Sequence, residues 1–158
     1  VYKRQHLWYD KLKKSFISVN DDELDVLNNS KSDNTNIIME KLYNAILNYI
    51  HITNLPWFTS WNGYTGIRYN RYSMNQKMNL HCDHIHTIFD GQRKGIPTLS
   101  LLGSLNDNYE GGDLILFDDF KIELEKGDLI IFPSNFLYPH RVEPVISGVR
   151  YSYISWVW

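Results

Sequence analysis

Only one cysteine, Cys82, occurs in the 158 residues, so no internal disulfide framework can brace the fold, and the redox compartment stays open. No apolar run approaches the length of a membrane span; the densest, Leu129 to Phe132, is strand-sized. Basic charge is not in excess. The formal net charge of −2, with histidine neutral, gives no polyanion-binding signature and makes nucleic acid an unexpected partner. There is no internal repeat, no low-complexity segment and no charged-then-apolar leader pattern. A soluble, cytoplasmic protein with no membrane partner is the expectation that remains. Hydrophobic residues at 43% and aromatics at 15% supply a real core, and the length suits one domain.

The chain lacks an initiator Met, and its first five residues, VYKRQ, resemble a translated adapter remnant. Residues 1–5 are therefore set aside as non-native, the true N-terminus is expected to be missing, and 6–158 is taken as one domain. Within it, 6–63 is expected to be a helical support and 64–158 a β core. Asp21 and Asp22 can cap a short helix from Glu23 to Asn29. Asn34-Thr35-Asn36 precede a longer one, in which Ile37, Ile38, Leu42, Ile46 and Ile50 recur at a helical period and should pack on a sheet. The cationic run Lys11 to Lys14 fits a solvated helix face better than a binding patch.

From Tyr64 onward the texture changes to short β runs. GIRYNRY, TLSLLGSL, DLILFD, KIEL, DLIIFP and RYSYISWVW read as strands, cut by turn signals at Gly111-Gly112, Asp118-Asp119, Lys126-Gly127 and Ser147-Gly148. Many short, regularly spaced strands predict a sandwich or barrel, and a jelly roll fits the count.

The chemistry concentrates in LHCDHIH, residues 80–86. Alternate residues of a strand share a face, so His81 and Asp83 can converge while Cys82 turns away. A third ligand must come from elsewhere. Of the other histidines outside the cluster, only His140 lies at a strand edge in the β half. Two histidines and a carboxylate match the facial triad of non-haem Fe(II) oxygenases; a closed structural zinc site would want four ligands and more sulfur. Ten residues past His140, a hairpin turning at Ser147-Gly148 returns Arg150 beside the site, with Ser152 on the same face. A guanidinium there suits a bound carboxylate.

In this order, HxD, a distant His and an Arg ten residues on resemble the 2-oxoglutarate- and Fe(II)-dependent oxygenases. YSMNQKMNLHCDH, YEGGDLILFD, KGDLIIFPS and YPHRVEPVISGVRYSYISW are similar to the prolyl 4-hydroxylase-like branch, including its microbial and phage members. The likeness covers roughly residues 64–158. It implies a double-stranded β-helix, a cupin-like jelly roll, mainly β with N-terminal helices packed on the sheet. His81, Asp83 and His140 would be the metal ligands and, with Arg150, the catalytic set. Arg150 would pair with the distal carboxylate of 2-oxoglutarate, Tyr72 would hydrogen-bond this cosubstrate, and Ser152 and Thr98 would line its pocket. Fe(II), 2-oxoglutarate and O2 would be required, with ascorbate as reductant.

The implied reaction is hydroxylation of an unactivated C–H bond, most simply on a peptidyl proline, with release of succinate and CO2. A small-molecule or free amino acid hydroxylase of the same superfamily is the alternative, and a non-catalytic jelly-roll binding protein a further one. A nucleic-acid demethylase would carry a second Arg six residues beyond Arg150, where this chain has Trp156. His84 and His86 open a polar stretch, 84–96, that reads as a loop closing over peptide substrates through Arg93 and Lys94; the two histidines are expected to serve it rather than the metal. Trp57, Trp61, Tyr64, Trp156 and Trp158 can wall the pocket, though core packing is the preferred reading for most of them.

Overall fold

The computed structural model describes residues 4–5, 8–10, 12–17, 22–28, 32–58, 61–83 and 97–158. Among these, fourteen strands and one helix follow one another as β1 (Arg4–Gln5), β2 (Trp8–Asp10), β3 (Ser15–Ile17), β4 (Asp25–Asn28), α1 (Asp33–Thr53), β5 (Arg68–Tyr72), β6 (Met78–His81), β7 (Leu99–Ser104), β8 (Tyr109–Gly111), β9 (Leu114–Leu116), β10 (Phe120–Ile122), β11 (Leu129–Pro133), β12 (His140–Val142), β13 (Val145–Gly148) and β14 (Arg150–Val157). Strands β1-β4-β5-β14-β7-β11 form a six-stranded sheet and β10-β9-β12-β6 a four-stranded one, with β13-β8 and β2-β3 as separate ribbons. Every pairing between these strands is antiparallel.

Side chains from both large sheets make the interior core: Val26, Tyr72, Leu102, Phe132 and Ile154 from one, Met78, Leu114, Leu116 and Val142 from the other. A second core lies on the outer face of the six-stranded sheet, where Leu42 and Ile46 of α1 meet Ile67, Leu99, Leu101 and Val157. Strand β7 is therefore buried on both faces. Leu99 and Leu101 point to the helix, and Ser100 and Leu102 point to the interior.

The long helix is anchored by Ser32, whose hydroxyl accepts from the Thr35 amide at 3.2 Å, and closed by Asn54 in the left-handed region at φ 44°. Its cap is thus two residues earlier than the Asn34 signal. Of its expected stripe, Leu42 and Ile46 are buried, Ile38 and Ile50 pack against them, and Ile37 stays exposed. No described helix is long and apolar enough to cross a membrane.

Two N-terminal expectations are corrected. The segment read as a helix from Glu23 to Asn29 contains strand β4, Asp25–Asn28. Leu24 and Val26 are buried and Asp25 is turned to Arg71, so alternation rather than a helical period governs it. Its Asp25 and Val26 pair with Gln5 and Arg4, which belong to the set-aside VYKRQ. Within the cationic run, Leu12 to Lys14 form the turn joining β2 to β3, not a helix face. Among the described residues of 6–63, expected to be a helical support, there are one helix and the strands β2, β3 and β4.

Candidate metal centre

Strands β6 and β12 are neighbours, and their register sets His81 directly opposite His140. The rings stand 4.3 Å apart between centroids. Each imidazole is oriented by a backbone carbonyl two residues before it: His81 Nδ1 lies 2.8 Å from the Asn79 oxygen and His140 Nδ1 3.2 Å from the Tyr138 oxygen. A carbonyl can only accept, so these contacts place the proton on Nδ1 and leave each Nε2 lone pair facing inward. Asp83, just past the end of β6, meets both: its Oδ1 is 3.5 Å from His81 Nε2 and its Oδ2 3.8 Å from His140 Nε2. One ligand atom from each of the three residues lies within 4.8 Å of the others.

Asp83 is held in turn by two serines. Ser100 donates to its Oδ2 at 2.7 Å, and the buried Ser134 hydroxyl sits 2.6 Å from Ser100. With the Ser100 proton committed to the carboxylate, Ser134 donates to Ser100. Burial alone would push the Asp83 carboxyl up. When protonated, His81 and His140 outweigh it, His81 by a hydrogen bond and both by charge, and with the Ser100 bond they hold the group well below the usual carboxylate range. Burial lowers His140, against the pull of the Asp83 charge, so its neutral, ligating form is favoured. Cys82 turns elsewhere, its thiol 3.5 Å from the Phe136 carbonyl, and burial and the Asp83 charge raise its pKa.

Arg150 opens β14 and pairs in register with Tyr72 of β5. Only 2% of it is exposed. Its guanidinium carbon lies 5.0 Å from the Tyr72 ring centroid, and Nη1 donates to the buried Ser152 hydroxyl at 3.2 Å. No carboxylate pairs with it among the described residues. A buried cation without a counter-charge is costly, which makes the site a receptor for an anion. The EGGD turn makes room for it. Gly112 has φ +65°, and a Cβ there would come 2.9 Å from Arg150 Cδ. Arg150 lines a cavity of about 200 Å³; Tyr72 lines the small one, about 20 Å³, that contains the triad. Burial raises the Tyr72 hydroxyl, opposed by the charges of Arg150 and Arg68.

Thr98 does not reach either cavity. It stands exposed ahead of β7, its hydroxyl donating to the Val157 carbonyl at 3.1 Å. The residue of the same parity that reaches the centre is Ser100, which the sequence reading missed although two serines in an apolar strand were a visible signal. Ser134, Asn70 and Arg68 were missed as well. Of the five aromatics offered as walls, Trp61 and Tyr64 pack in the outer core, Trp57 is 78% exposed, and Trp156 packs against the interior core. Trp158 is half-buried against Gly63. His84, His86 and the 84–96 loop with Arg93 and Lys94 lie outside the described residues.

A family model described as the 2OG-Fe(II) oxygenase superfamily matches residues 67–158. The chain belongs to this superfamily. Among similar proteins are a PKHD-type hydroxylase of Stenotrophomonas maltophilia (strain R551-3), 36% identical over 95 residues, 57% of this chain and 41% of that protein, and one of Xylella fastidiosa (strain M12), 38% identical over 100 residues, 57% and 43% of the two chains. The chain thus spans about two-fifths of the length of these curated relatives. Among solved structures, the viral collagen prolyl hydroxylase of Paramecium Bursaria Chlorella virus-1, in its 2OG complex, superposes with a TM-score of 0.65 at 19% identity over 85% of this chain and 79% of that one. A Trichoplax adhaerens prolyl hydroxylase holding a hypoxia inducible factor peptide fragment gives 0.64 at 21% identity, over 90% and 66%. These likenesses establish the jelly roll, mainly β with one N-terminal helix on the sheet. The donors of this superfamily member suit the Fe(II) of its family: two imidazole nitrogens and one carboxylate oxygen, half-buried at His81 and Asp83 and buried at His140, all within 4.8 Å of one another. The carboxylate-free Arg150 suits the distal end of a dicarboxylate.

Proposed function

We propose that this protein is a 2-oxoglutarate- and Fe(II)-dependent hydroxylase in which His81, Asp83 and His140 hold the iron and Arg150, with Tyr72 and Ser152, holds the cosubstrate. The observation that carries the reading is the pairing of an inward-facing His-Asp-His set with a buried arginine that has no carboxylate partner among the described residues. When bound, iron and 2-oxoglutarate supply O2-dependent oxidation, in which a substrate C–H becomes C–OH and the cosubstrate becomes succinate and CO2.

The chain's own residues do the positioning. Asn79 and Tyr138 carbonyls fix the two imidazole tautomers. Ser100, itself held by Ser134, fixes the orientation of the Asp83 carboxylate. Ser152 and the Tyr72 ring hold the Arg150 fork in one orientation, so a dicarboxylate can span from the triad to the guanidinium. Phe132, its ring edge-on to His140 at 5.2 Å, and Leu102 and Ile154 give apolar walls to the small cavity that contains the triad. A peptidyl proline is the first substrate to try, as the hydroxylase names of the similar proteins and the peptide complex among the similar folds suggest. Ascorbate is the expected reductant. A small carboxylate-bearing substrate is the second reading, favoured by Arg68.

Anaerobic titration of metal-free protein with Fe(II) and 2-oxoglutarate tests the proposal, read by the charge-transfer absorption of the chelate. The band should appear in the wild type, vanish in His140→Ala, and need at least about tenfold more cosubstrate in Arg150→Ala. Its absence in the wild type would leave a jelly-roll binding protein as the better description.

A further inference from the structure

Strand β5 presents a second arginine to the interior. Arg68, Asn70 and Tyr72 alternate onto the inner face, and all three line the cavity that contains His81, Asp83 and His140. The Arg68 guanidinium lies over Trp156, 5.2 Å from the ring centroid, and its Nε donates to Asn70 Oδ1 at 3.2 Å. Stacking fixes the plane of the fork, and the Nε bond fixes its rotation. Among the described residues no carboxylate pairs with it, and its terminal nitrogens make no hydrogen bond. Asp83 Oδ2 already accepts from Ser100, and the carboxylate faces the two imidazoles.

The register separates the two arginines by role. Arg150 is opposite Tyr72 and Arg68 opposite Ile154, so their backbones attach about 13 Å apart along the sheet, at about 3.3 Å per residue. The Arg68 head rests on Trp156, which is opposite Ser100, and Ser100 holds Asp83. The triad thus shares its cavity and its level of the sheet with the Arg68 guanidinium, while the arginine that would anchor the cosubstrate attaches further along. Burial lowers the Arg68 pKa, opposed by the Asp83 charge, and an anion arriving at its fork would relieve that cost.

We propose that Arg68 is a specificity-determining residue that binds a carboxylate of the substrate, so that this site selects substrates carrying a free carboxylate near the carbon that is hydroxylated. The inference rests on the hydroxylase reading above and narrows its substrate class. The carboxylate can belong to a free amino or imino acid, to a peptide C-terminus or to an acidic side chain beside the target residue. An internal proline with no acidic neighbour fits less well.

Acid and amide pairs of probes separate these cases. The anaerobic Fe(II) and 2-oxoglutarate complex is titrated with L-proline against L-prolinamide, with a Gly-Gly-Pro acid against its C-terminal amide, and with a blocked peptide carrying Asp against Asn beside an internal proline. Binding is read from the shift of the charge-transfer band, and succinate release is then measured in air. At least one acid should bind about tenfold or more tightly than its amide in the wild type. That ratio should collapse towards one in Arg68→Gln and be partly kept in Arg68→Lys, with circular dichroism melts establishing that both variants fold. The pair that discriminates identifies the source of the carboxylate. The inference is overturned if no pair discriminates in the wild type, if discrimination survives in Arg68→Gln, or if 2-oxoglutarate affinity falls as far as that of the acid probe. If the wild type gives no charge-transfer band, the hydroxylase reading fails first and takes this one with it.

Discussion

Ser100 is the smallest side chain at the centre and among the most consequential. It donates to Asp83 and receives from Ser134, so its loss would leave the carboxylate free to rotate and Ser134 without its acceptor. Ser100→Ala should weaken Fe(II) affinity by about 10- to 100-fold while the His81–His140 pair stays in place; a competition titration against a chromophoric chelator measures it. The four residues that the HxD spacing and the returning hairpin single out are those whose chemistry is rare in an apolar strand. Ser100, Ser134 and Arg68 escaped because no spacing motif ties them to the HxD pair, and only the three-dimensional register shows what each faces. Thr98 has the parity of Ser100 but lies just ahead of β7, where the chain still faces solvent.

Whole elements were readable where their period was long. The stripe from Ile38 to Ile50 sustains a helical repeat through α1, and the β runs from residue 68 onward fall where turn residues cut them. Four residues of β4 carry too little periodicity to separate helix from strand, and the two preceding aspartates imitate a cap. The EGGD turn shows an element acting on the site at a distance. Gly112→Ala forces a side chain into the left-handed region and against Arg150. It should cost about 1–3 kcal/mol of stability and raise the 2-oxoglutarate concentration needed for the charge-transfer band, whereas Gly127→Ala, with open space around its Cβ, should leave that concentration unchanged. Chemical denaturation and the anaerobic titration separate the two effects.

At the scale of the molecule, the sandwich buries ionisable groups that respond to acid. His140 is lowered by burial, so beneath about pH 6.5 the unfolded chain takes up a proton that the folded one resists. Asp83, held below the ordinary carboxylate range, does the same beneath about pH 4. Both contributions are present at neutral pH and are lost as the pH falls. The melting temperature of the metal-free protein should therefore drop from pH 7.5 towards pH 4, and the upper part of that slope should flatten in His140→Gln.

The two sheets meet the triad unequally. His81 and His140 belong to the four-stranded sheet, whereas Asp83 is tied through Ser100 and Ser134 to the six-stranded one. An ion seated among the three would be a clasp as well as a reagent, joining the two leaves at the mouth of the sandwich through a closed ring of contacts. Emptying the site would unfasten the mouth while the leucine and valine interior behind it stays shut.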